Sequence, residues 1–97
     1  MKVYAIAMTE VKKDSVLCGS DTCLDWDDAV DAAYEFMLRC VCDFHEIVDR
    51  SYGRRKLETS VKRETSVFKG KRKLECHFED PNGALVVATS VQETELR

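Results

Sequence analysis

No stretch of the chain approaches the roughly 20 apolar residues that a membrane-spanning helix needs. Near the N-terminus, Lys2 is followed only by Val3 to Met8 before polar residues return. That run is too short for the apolar core of a secretory signal, and it alternates like a strand. Both lacks predict no membrane association and a cytoplasmic location.

Glycine is equally sparse. Gly19, Gly53, Gly70 and Gly83 each stand alone. No G-x-G-x-x-G or G-x-x-x-x-G-K pattern exists, so a phosphate-cradling loop is excluded. Turn geometry accounts for each glycine. The chain also lacks internal repeats and low-complexity tracts.

Histidine numbers two, His45 and His77. Nucleophilic catalysis needs a nucleophile, a base and an orienting group within hydrogen-bond reach. His45 stands three residues from Cys42, with Glu46 and Asp49 nearby, on a helix face expected to be solvated. His77 is expected to point outward from a strand between Glu75 and Glu79. The reading is therefore a non-enzymatic protein with no cofactor.

The cysteines are Cys18, Cys23, Cys40, Cys42 and Cys76. An odd number without an export signal predicts free thiols. A zinc site assembled from Cys18, Cys23, Cys40, Cys42, His45, Cys76 or His77 fails on geometry. Cys18 and Cys23 precede the expected helix, and Cys42 lies ~24 Å along it. Zinc ligands must converge within ~2.0–2.3 Å of one ion. Cys40 and Cys42 are expected on opposite helix faces, so no metal is predicted.

What the chain has is an ordinary globular mixture, with 44% hydrophobic and 34% charged residues among 97. One domain of this size buries roughly 60–65% of its unfolded surface. Charge is unevenly distributed. Residues 1–49 carry four basic and eleven acidic side chains, a net of −7. Residues 50–75 carry ten basic and three acidic, a net of +7, and the remainder is net −3.

Val3 to Val11 alternates and predicts a central strand. Lys12 to Ser15 reads as a turn, Ser15 to Cys18 as a short and doubtful return strand, and Gly19 to Thr22 as loop. The strongest element is a helix capped by Asp25, with Asp27, Asp28 and Asp31 in its first turns. At ~100° per residue, Trp26, Ala29, Val30, Ala33, Phe36, Met37, Cys40, Val41, Phe44, Ile47 and Val48 share one face. Gly53 is expected to cap the helix after Arg50 to Tyr52. Leu57 to Phe68, Lys73 to Glu79 and Ala84 to Val91 read as strands, with turns at Gly70 and at Asp80-Pro81-Asn82-Gly83. Residues 92–97 read as a frayed tail. The predicted fold is one α+β domain over residues 1–97. It is a two-layer sandwich of one long amphipathic helix on a four- or five-stranded, mainly antiparallel sheet, in the order β-β-α-β-β-β.

Two surfaces are candidates for binding. Tyr34, Leu38, Cys42 and His45 form a partly apolar strip on the polar helix face, between the acids Asp31, Glu35 and Glu46. It suits contact with a second chain or with the domain's own loop. The alternative is the basic segment, with clusters Arg54-Arg55-Lys56 and Lys69-Lys71-Arg72-Lys73 at opposite ends of the third strand. Binding of nucleic acid requires such cations to converge on one surface, with aromatics nearby for a single-stranded target. Solvated loops and lysine-protected edges are the competing explanation. The expected function is a protein-interaction module, an inhibitor or adaptor acting through the helix face or the sheet edge. Its partner is another protein, and a homodimer is a candidate state. The alternative is a nucleic-acid-binding domain.

Overall fold

The computed structural model describes residues 1–95 and, at Phe68, the backbone. Five antiparallel strands and two helices follow one another as β1 (Lys2–Lys12), β2 (Ser15–Cys23), α1 (Trp26–His45), α2 (Arg50–Ser60), β3 (Lys62–Phe68), β4 (Lys71–Glu79) and β5 (Leu85–Glu95). The sheet order is β2-β1-β5-β4-β3. This is an α+β arrangement, as expected, but with a second helix that the sequence reading did not include.

The sheet is centred on the chain's most apolar strands. Ile6 of β1 pairs with Val91 of β5, and Val91 pairs with Leu74 of β4. These residues share a face with Tyr4, Thr89, Cys76, Val87 and Phe78, because side chains alternate with period two. Against that face α1 lays Ala29, Ala33, Met37, Cys40 and Val41, all buried. The helical stripe read from the sequence is thus the core-facing stripe. Asp25 caps the helix as expected, its side chain accepting a hydrogen bond from the Asp28 N–H at 3.3 Å.

The turns follow local chemistry. At 80–83 the Asp80 carboxylate accepts from the N–H groups of Asn82 and Ala84 at 2.8 and 2.9 Å, and Gly83 takes φ 84°. Between β3 and β4, Lys69 and Gly70 both have positive φ, the backbone of a tight hairpin.

Four expectations need correction. The long helix stops at His45: Glu46 adopts a left-handed conformation with φ 56°. The N–H groups of Glu46 and Ile47 then return to the carbonyls of Asp43 and Cys42 at 3.3 and 2.8 Å, a Schellman closure. Val48, assigned to the core stripe, is 99% exposed.

Secondly, Gly53 ends nothing. It is buried inside α2, whose N-cap is Asp49, accepting from the Ser51 N–H at 2.9 Å. Residues 57–60, read as strand, belong to this helix. Thirdly, β2 is a nine-residue strand, because the free edge of β1 supplies partners from Lys12↔Ser15 to Tyr4↔Cys23. Pairing overrides the weak strand propensity of Gly19, Ser20 and Asp21. Fourthly, residues 92–95 are not frayed. They pair with β1 as far as Lys2↔Glu95. The rest of the expected tail, residues 96 and 97, lies outside the described residues.

Candidate protein interface

Helix α2 decides the fate of the predicted strip. It packs beside α1, and Leu57 joins the cluster that contains Met37, Leu38, Cys76 and Phe78. Leu38 is 1% exposed. A Cβ added to Gly53 would overlap Cys42 Sγ and lie 3.4 Å from Leu38 Cδ1. The glycine therefore permits the close approach of the two helices. Leu38 and Cys42 form an i, i+4 pair facing a second i, i+4 pair, Gly53 and Leu57. That matched spacing is the signal in the sequence by which α2 could have been found. The strip contacts the domain's own segment.

Its other members are arranged around that contact. Tyr34 is half-buried against the same cluster. Glu35 is exposed and ion-paired with Arg50 at the start of α2. His45 is half-buried, with Phe44 and Phe78 at ring-centroid distances of 4.9 and 5.6 Å, edge to face. Its Nε2 is buried and, among the described residues, has no hydrogen-bond partner. Burial first, and Lys56 second, hold its pKa below the ordinary value. Asp31 and Glu46 remain exposed.

The basic residues divide between two elements. Arg54 and Arg55 are exposed on α2, and Lys56 is half-buried there. Lys69, Lys71, Arg72 and Lys73 lie at the β3–β4 hairpin, beyond the seven residues of β3, a strand of roughly 20 Å. Two of these basic residues lie over aromatic faces already. Arg55 lies over Tyr52 at 5.8 Å and Arg72 over Trp26 at 4.5 Å. Lys73 pairs with Glu75 at 3.0 Å.

The cysteines are free and dispersed: Cys40 and Cys76 in the core, Cys23 and Cys42 half-buried, Cys18 exposed. Burial pushes the Cys40 thiol up to about 12, with a hydrogen bond to Glu10 adding to it. Among the described residues, no three His, Cys, Asp or Glu side chains are grouped to hold a metal ion. His77 meets Glu79 at 3.4 Å on the surface of β4. Among the described residues, no helix is long and apolar enough to cross a membrane.

The sheet has two edges, and they differ. On β3, Lys62, Arg63 and Glu64 are exposed charges of the kind that blunt an edge. β2 is longer and has one charge, Asp21. Every residue from Ser15 to Thr22 is exposed. Val16 is 60% exposed, Leu17 50%, and Leu24, just past the strand, 73%. In an antiparallel pair every second residue turns its N–H and C=O away from its partner. β2 therefore offers a row of backbone donors and acceptors with apolar side chains on both faces. The sequence reading ends this strand at Cys18 and so leaves Gly19 to Thr22 out of the edge.

The chain matches no protein-family model, and neither the curated proteins nor the solved structures contain a significant match.

Proposed function

We propose that the chain is a small non-enzymatic protein-interaction module, an inhibitor or adaptor, that takes on its partner by strand addition at β2. The observation that carries this reading is the nine-residue edge with Asp21 as its one charge. In strand addition, main-chain hydrogen bonds supply affinity and alternate side chains supply specificity. Val16 and Leu17 are the side chains placed to do so. Leu38 and Cys42 are engaged by α2, and Glu35 by Arg50. The helix face therefore has less to offer a partner than the edge has. Dispersed histidines and thiols favour binding over catalysis.

The test is affinity capture from native extract with the wild-type chain, with Val16→Lys/Leu17→Lys, and with Asp31→Ala/Glu35→Ala. The expected result is that the edge substitutions abolish capture and the helix substitutions preserve it. Partners held equally well by the edge variant would sink the proposal. Nucleic acid is the second reading, carried by the net charge of residues 50–75. Salt-sensitive retention on heparin, lost when Arg54, Arg55, Lys71 and Arg72 are neutralised, would move it to first place.

A further inference from the structure

We infer that the β2 edge pairs with the β2 edge of a second copy of this chain. The pairing is antiparallel, about a two-fold axis at Gly19, and joins the two sheets into one of ten strands. This rests on the reading of β2 as the interaction edge and names its occupant.

Gly19 is the middle residue of Ser15–Cys23. Pairing centred there sets Cys18 opposite the partner's Ser20, Leu17 opposite Asp21, Val16 opposite Thr22 and Ser15 opposite Cys23. Each pair joins residues of like parity, so the rows of backbone groups that point away from β1 in each copy meet one another. Nowhere along the strand does a charge face a like charge. The axis falls on the residue without a side chain, so nothing crowds it.

Charge complementarity selects the antiparallel direction. One end of β2 adjoins Lys12, Lys13 and Asp14 of the β1–β2 turn. The other holds Asp21 and leads to Asp25, Asp27 and Asp28 at the start of α1. Antiparallel pairing lays the lysine end of each copy beside the four-carboxylate end of the other, twice by symmetry. Parallel pairing would bring the two acidic ends together. The same register puts Val16 on the diagonal from Leu24 of the partner. Diagonal cross-strand neighbours lie ≈ 7–8 Å apart, within reach of long side chains. Two of the most exposed apolar groups of the monomer thereby become each other's cover. The β3 edge instead carries the exposed charges Lys62, Arg63 and Glu64, which blunt strand addition there.

The axis stands perpendicular to the sheet, so both helical layers lie on one side. The opposite faces merge into one continuous surface of Ala5, Ala7, Thr9, Cys18, Ser20, Thr22 and their symmetry copies.

Sedimentation and light scattering across micromolar concentrations test the inference. Wild type is expected at twice the 11.1 kDa chain mass, with dissociation promoted by salt. Gly19→Asp places two carboxylates at the axis and is expected to abolish the dimer. A Cβ at Gly19 meets Met8 Cε at an ordinary 3.6 Å, so the monomer tolerates it. Val16→Lys, at an exposed site, is the second variant and is expected to do the same. The register is tested with Gly19→Cys in a Cys18→Ser background. Treatment with oxidised glutathione should link two copies through residue 19, while Val67→Cys on β3 stays unlinked. A monomeric wild type, a dimer that survives both edge substitutions, or linkage through β3 would each overturn it. A monomeric wild type leaves strand addition by other proteins standing; that reading fails only by its own capture experiment.

Discussion

Glu46 shows how one residue can be held against its own preference. Left-handed backbone places Cβ close to the following carbonyl oxygen and costs roughly 1–2 kcal/mol for a non-glycine residue. Glu46 accepts that conformation because its N–H and that of Ile47 close the end of α1 on Asp43 and Cys42. Glycine would remove the clash, at the cost of a freer unfolded chain. Glu46→Gly should therefore stabilise the fold by about 0.5–1 kcal/mol. A thermal melt should show a rise of a few degrees. A melting temperature at or below wild type would show that the Glu46 side chain contributes more than its backbone strain costs.

The pairing of α1 with α2 depends on a small residue at one position. In an isolated helix, Gly53→Ala would be favourable by about 0.8–1 kcal/mol. Here the new Cβ meets Cys42 Sγ, in a contact that also involves Leu38 and Ile47. The substitution should instead destabilise the protein by about 1–2 kcal/mol, the range of overpacking. Removing the sulfur with Cys42→Ala should return most of that loss in the double variant. A double-mutant cycle in urea gives the coupling. Additive single effects would mean that the helices are further apart at Gly53 than the geometry states. Leu57, Thr59 and Val61 alternate, which predicts that the strand of 57–68 begins at Leu57. Leu57 also stands four residues from Gly53, and it was the surface of α1 that selected the helical period.

The whole molecule should have a pH window of stability set by two kinds of group that burial shifts. Burial first, and Lys56 second, hold the pKa of His45 below its ordinary value of 6.5. The unfolded chain therefore takes up its proton first, and stability falls as pH drops below 6.5. Cys40 and Cys76 have raised values, chiefly through burial, against 9.0 for a free thiol. The unfolded chain releases those protons first, so stability also falls as pH climbs above 9.0. The acid limb can be isolated with His45→Phe, which keeps an aromatic ring beside Phe44 and Phe78. Between about pH 7 and about pH 5.5, wild type should lose more melting temperature than the variant. Equal losses would show that His45 does not set the acid limb.

The sequence by itself determined the parts whose physics is local or periodic. The core stripe of α1 follows from helical spacing, and its start from Asp25. Asp80 to Gly83 turns because an aspartate carboxylate can bond two nearby N–H groups and glycine accepts positive φ. Strands β1, β4 and β5 follow from alternation. Tertiary structure decided the rest. Ile47 and Val48 continue the helical stripe on paper, so nothing local marked the break at Glu46. Gly53 reads equally well as a helix end and as a gap into which Cys42 fits. Leu38 looked like a surface residue until α2 covered it. β2 has little strand propensity of its own and exists at full length because β1 had an unpaired edge. In each of these cases local preferences are nearly balanced. Burial of Leu38 and Leu57, and the backbone hydrogen bonds of the β1–β2 pair, are large enough to tip them.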